Sequence, residues 1–120
     1  MHQFDLKNRT AIITGGAQGF GLDIAKRFLK SGAKAIIWDI DEVELKKATK
    51  EVNDPNLLYN VVDVSSFKNV KETVDEIAKS YNIDILINNA GITGSTSSLW
   101  DYDVDEWNKI VQINLMGTFN

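Results

Sequence analysis

The chain has 120 residues, 43% apolar and 25% charged, a balance that suits one globular domain with a real core. A net charge of −4 and the lack of any Lys/Arg-rich run argue against nucleic acid and anionic membrane surfaces as partners. With no cysteine, and His2 as the single histidine, the sequence excludes disulfide scaffolds, thiolate or His-based metal sites, a Cys nucleophile and a Ser-His-Asp triad. No stretch approaches a membrane span and the N-terminus is too polar for a signal peptide, so the expectation is a soluble cytoplasmic protein.

The first apolar run, Ala11–Thr14, enters the cluster Gly15-Gly16-Ala17-Gln18-Gly19-Phe20-Gly21. A helical pattern carrying Ile24, Ala25, Phe28 and Leu29 follows at once and ends at Ser31-Gly32. A second run, Ala35–Asp39, precedes a helix that starts at Asp41, has Glu44 three residues on, and is stopped by Asn53-Asp54-Pro55. The third run, Leu57–Asp63, leads to the stripe Phe67, Val70, Val74, Ile77 and Tyr81, a clean helical spacing. The fourth run is Ile83–Asn88. Beyond it, Ser95, Thr96, Ser97 and Ser98 read as a flexible polar loop. A last helix begins near Asp103, with Glu106 able to complete a capping box and Tyr102 and Trp107 at hydrophobic-staple positions. Short β-branched runs alternating with helices predict βαβ units, right-handed crossovers and a parallel sheet.

The order strand, glycine turn, helix is what a phosphate cradle requires. Gly15 makes the tight turn, Gly19 and Gly21 let backbone approach a ligand and helix approach strand, and the free N–H groups of the helix point at the turn. Gly19→Val is accordingly expected to weaken phosphate binding more than folding. Asp39, 18 residues beyond Gly21, stands where a carboxylate can accept both ribose hydroxyls of an adenosine and repel a 2′-phosphate. Gln18, neutral in the loop, agrees with NAD over NADP. Asp63 and Val64 either flank an adenine ring or form a strand end with Ser65 or Ser66 capping the next helix. Asn88-Asn89-Ala90-Gly91 is either a simple turn or part of the crevice beyond the strand ends, where open α/β sheets bind ligands. Asn114 falls on the apolar face Val104, Trp107, Val111; a buried amide there either bonds locally and bends the helix or holds a water.

Taken in order, Thr14-Gly15-Gly16-Ala17-Gln18-Gly19-Phe20-Gly21, Asp39, Asp63-Val64, Asn88-Asn89-Ala90-Gly91 and Asn114 resemble the short-chain dehydrogenase/reductase family, and among its members the 3-oxoacyl-carrier-protein reductases. The resemblance runs from about Lys7 to the last residue. It implies a Rossmann-type doubly wound α/β sheet of strand order 3-2-1-4, with 1–120 as a nicotinamide-dinucleotide-binding domain. In that order the fourth strand is an edge, with Ile85 and Ile87 on one face and Leu86 on the other, an arrangement that invites self-association. It implies NAD (NADP less) held by Gly15, Gln18, Gly19, Phe20, Gly21, Asp39, Asp63, Val64 and Asn88 to Gly91. Asn114 matches the water-ordering Asn of that family's catalytic set. The implied activity is hydride transfer between the cofactor and a small carbonyl or alcohol substrate, in a homo-oligomer. The family's Tyr-x-x-x-Lys pair is missing: four residues beyond Tyr59, Tyr81 and Tyr102 stand Asp63, Ile85 and Glu106. The chain therefore reads as the cofactor-binding half of a longer reductase, inactive alone. A non-catalytic nucleotide-binding or interaction module and a methyltransferase using S-adenosylmethionine are the competing readings.

Overall fold

The structure, a computed structural model, describes residues 4–92, 94 and 96–120. His2 and Ser95 lie outside the described residues, while Thr96, Ser97 and Ser98 are exposed in irregular backbone.

Four parallel strands, β1 (Thr10–Thr14), β2 (Lys34–Asp39), β3 (Leu57–Val61) and β4 (Ile85–Ile87), form one sheet in the order β3-β2-β1-β4. Two strands are shorter than the sequence suggests. β3 stops at Val61, where the chain leaves the ladder through Val62 and Asp63, and β4 keeps three residues because it pairs with β1 alone. Register places Ile13 beside Ile37 and Ile87, and Ile12 beside Ile36 and Leu86. Alternation then sorts the side chains by face.

On one face Ala11, Ile13, Ala35, Ile37 and Leu57 pack with Ala25 of α1 (Gly19–Lys30) and with Leu45 and Ala48 of α2 (Glu42–Val52). On the other, Ile12, Ile36, Trp38 and Val62 meet Val70 and Ile77 of α3 (Phe67–Ala78). The helix limits follow from local chemistry. Gly32, at φ +94°, follows the end of α1, and left-handed Asn53 ends α2. Asp41 caps α2 by accepting from Glu44 N, and Ser66 caps α3 by accepting from Asn69 N.

The C-terminal helix is less regular than its apolar spacing suggests. α4 (Val104–Ile110) passes into a π-helical segment, Val111–Met116, and then into α5 (Gly117–Phe119). Asp103 caps α4, accepting from Asp105 N, and the Tyr102 and Trp107 rings meet edge to face at 5.7 Å. Val104 and Trp107 are exposed in this chain, as is Asn114, so the expectation of a buried amide on an apolar face does not hold. The wider π turn carries Asn114 to the loop after β4 instead.

Candidate functional site: a crevice at the carboxyl edge of the sheet

β1 ends in the glycine turn. Gly15 adopts φ +65°, which reverses the chain, and Gly16 N donates to Trp38 O at 3.0 Å, tying the turn to β2. A Cβ on Gly21 would collide with the Gly15 carbonyl oxygen and stand 2.7 Å from Asn89 Nδ2. Gly21 is thus the glycine that lets α1 sit against the turn. Gly19 differs: it opens α1 at φ +60°, and a Cβ there would meet nothing within 4 Å. Among the described residues no side chain caps the N-terminus of α1. First-turn N–H groups facing open space beside a glycine turn make an anion cradle. The positive φ revises the expectation for Gly19→Val. A β-branched residue there is strained whether or not a ligand binds, so that variant reports on folding as well as on the cradle.

The segment after β4 braces this turn. Thr14 Oγ1 accepts from Asn89 N at 3.0 Å and Ala90 N at 2.9 Å, and Asn89 Nδ2 donates to Gly15 O at 3.1 Å. These bonds join residues about 75 positions apart in sequence, holding two strand ends as one rim. Asp39 closes β2. Its Oδ1 accepts from Asp41 N at 3.1 Å and its Oδ2 from Ala17 N at 3.4 Å, a long contact that leaves that oxygen acceptor capacity. Asp41, not Asp39, is the capping acid of α2.

Asp63 forms the strand-end turn weighed for it. Its Oδ1 accepts from Ser65 N and from the Ser65 hydroxyl, a local turn, while Ser66 caps α3. It also faces the crevice. Val64 is gripped from behind: Asn120 Nδ2 donates to its carbonyl at 3.0 Å, and its side chain fills the space that a Cβ on Gly117 would need.

Together these elements enclose a crevice of about 370 Å³ lined by Gly15, Gln18, Asp39, Asp63, Val64, Asn89, Ala90 and Gly91, all singled out in the sequence. Trp38, Ile40, Val62, Ile92 and Ile113 complete it. Each of those five adjoins a residue already singled out, so chain adjacency was the available signal. Gly19 and Phe20 do not line it; Phe20 is 84% exposed. Asn88 points elsewhere. It lines a second, apolar cavity of about 320 Å³ with Ile12, Trp38, Val64, Leu86 and Gly117, on the α3 side of the sheet. Strand alternation accounts for this, since Asn88 and Asn89 leave β4 on opposite sides.

Asn114 is not in the crevice wall, but it holds that wall in place. Its Oδ1 accepts from Ile92 N and its Nδ2 donates to Ile92 O, both at 2.8 Å. Its own carbonyl accepts from the Thr118 hydroxyl at 3.0 Å. This two-point clamp orients the loop that carries Gly91 and Ile92. Among the described residues no cluster could hold a metal ion, and no helix is long and apolar enough to cross a membrane.

This geometry, a glycine turn against a helix N-terminus with an acid at the next strand end, defines a Rossmann-type nucleotide fold. Residues 9–120 match the family model described as short chain dehydrogenase, and the chain belongs to that oxidoreductase family. It is 39% identical over 117 residues to zerumbone synthase of Zingiber zerumbet, covering 95% of this chain and 44% of that protein. It is 37% identical over 119 residues to a 3-oxoacyl-(acyl-carrier-protein) reductase of Chlamydia muridarum, covering 96% of this chain and 48% of that one. Among solved structures, a 3-ketoacyl-(acyl-carrier-protein) reductase from Brucella melitensis complexed with NADH superposes with a TM-score of 0.89 at 33% identity, over 96% of this chain and 47% of that one. The chain spans about half the length of these relatives.

Proposed function

We propose that residues 1–120 form a domain that holds a nicotinamide dinucleotide by its adenosine and pyrophosphate, NAD(H) in preference to NADP(H). The residues present fit such a group. The uncapped start of α1 beside Gly19 offers donors to the pyrophosphate, with Gly15, Gln18 and Gly21 shaping the turn. Asp39 accepts from the ribose hydroxyls. Asp63 and Val64 take the adenine, and Asn89, Ala90 and Gly91 form the opposite rim, with Asn88 beneath it. When bound, the cofactor supplies the hydride exchanged with a small carbonyl or alcohol substrate, in keeping with the names of the relatives.

One observation carries the NAD preference. The crevice is lined by two carboxylates, Asp39 and Asp63, and among the described residues by no lysine or arginine, with neutral Gln18 and apolar Ile40 also in its wall. A 2′-phosphate beside Asp39 would meet like charge without a compensating cation. Asn114 serves as a clamp on Ile92, and through it on the loop; its amide neither donates nor removes a proton in a reaction. Of the family's catalytic set it is the one residue matched in these 120 positions, so this domain contributes cofactor binding, and by itself no turnover. We also read the exposed Leu86 and Trp107 surfaces as contacts in a homo-oligomer, and the protein as cytoplasmic.

Calorimetric titration of the protein with NADH and with NADPH tests the preference. The expected result is that NADH binds tighter by about tenfold or more, and that Asp39→Ala narrows the gap because it removes the ribose acceptor and the repulsion together. NADPH binding as tight as NADH would overturn the reading.

A further inference from the structure

Asn69 belongs to the first turn of α3, outside the crevice, and no feature of its sequence neighbourhood singles it out. Its side chain nevertheless reaches back across the start of the helix. Asn69 Oδ1 accepts from Asp63 N at 2.8 Å, so the amide holds the backbone of the acid that faces the crevice. Asn69 is itself held at three points. Its N–H donates to Ser66 Oγ at 3.2 Å, its Nδ2 faces Thr73 Oγ1 at 3.5 Å, and its carbonyl accepts from the Thr73 hydroxyl at 2.8 Å. The oxygen that grips Asp63 is therefore borne by a side chain with little freedom of its own.

The consequence falls on the Asp63 carboxylate. One oxygen, Oδ1, is taken up by the Ser65 N–H and hydroxyl. With the backbone pinned by Asn69 and Oδ1 pinned by Ser65, the carboxylate of this crevice-lining residue is held in one orientation, and its second oxygen has no partner among the described residues. A fixed, acceptor-only oxygen selects for a donor. An exocyclic amino group, as on adenine, satisfies it. A carbonyl at the same ring position, as on hypoxanthine, sets two acceptors against each other and leaves both unpaired. A carboxylate free to swing would discriminate less, because it could turn away from the carbonyl.

We propose that Asn69 is a positioning residue for base recognition: by fixing the Asp63 backbone it makes the crevice selective for an amino-bearing purine over its oxo counterpart. This inference rests on the nucleotide reading above, and the two are separable by experiment. Direct binding of NADH and of its hypoxanthine analogue, deamino-NADH, is measured by calorimetry on the wild-type protein and on Asn69→Ala and Asn69→Asp. The wild type is expected to favour NADH by roughly tenfold, the weight of one hydrogen bond to a charged group. Asn69→Ala is expected to bring that ratio down to about two, chiefly by weakening NADH. Asn69→Asp keeps an acceptor for the Asp63 N–H and is expected to retain the preference. A general loss of fold would weaken both ligands alike and leave their ratio unchanged. Should Asn69→Ala not fold, Asn69→Ser, whose hydroxyl is too short for the same span, carries the same expectation. If the wild type binds neither dinucleotide, the nucleotide reading fails. If it favours NADH but Asn69→Ala (or Asn69→Ser) keeps the full ratio, or if it binds both equally, the positioning inference fails and the nucleotide reading stands.

Discussion

On one face of the sheet Ile13 and Ile37 are sealed beneath α1 and α2, with no exposed surface left. On the other, Leu86 at the middle of β4 is 54% exposed, although its register partner Ile12 is buried. The two faces have similar composition; what differs is cover. The connections from β1 to β2 and from β2 to β3 each lay a helix over the first face. The crossover from β3 to β4 lays only α3 over the second, and the C-terminal helix touches down at Val64 through Gly117 and Asn120. Between them lies the apolar cavity that holds Leu86, Asn88 and Trp38. An isoleucine-rich strand is thus worth as much as the helix laid over it.

Paired truncations give the largest contrast. Ile13→Ala removes a fully buried side chain from a closed cluster and is expected to cost about 3 kcal/mol, as transfer and cavity terms add. Leu86→Ala, two residues of sheet away, is expected to cost under about 1 kcal/mol, since half its surface is already wet. Urea denaturation of both variants measures the difference, and equal losses would mean that the second face is covered in solution. A related effect is expected in association. Leu86→Ser should lower the apparent mass of the 120-residue chain in light scattering, because it takes an apolar side chain off an exposed strand edge. A wild-type chain that is monodisperse and monomeric would remove the basis for this.

The smallest effect concerns Trp38, which is 2% exposed and whose Nε1 is the one buried side-chain polar atom left without a hydrogen-bond partner among the described residues. An orphaned indole N–H costs the folded state about 1 kcal/mol or more. Trp38→Phe removes the donor and little of the packing, so it is expected to leave stability unchanged or raise it by up to about 1 kcal/mol. A loss beyond about 1 kcal/mol would mean that the N–H has a partner in solution and that the second face is better completed there than its cavity suggests.

Much of the architecture was legible in the residues. The four strands, the helix limits at Gly32, Asn53 and Ser66 and the gathering of Gly15, Asp39, Asp63 and Asn89 at one edge follow from local periodicity, turn chemistry and the handedness of βαβ crossovers, while the order β3-β2-β1-β4 was implied by the family resemblance. These signals act over a few residues, or over connections whose geometry has one good solution, so spacing alone reports them. The helical spacing of Asn114 did not report its exposure, because that reading presumes a covered face, and Val104 and Trp107 on the same face are exposed as well. One π turn shifts every later side chain around the axis.

What tertiary structure alone decided are the bonds between distant segments: Asn114 on Ile92, 22 residues away, and Asn89 on Gly15, 74 residues away. An amide carries both a donor and an acceptor and binds any backbone group within reach, so its residue type does not name its partner. Only packing brings Ile92 to 2.8 Å and Gly15 to 3.1 Å, and only packing sent Asn88 to the cavity below while its neighbour Asn89 braces the crevice above.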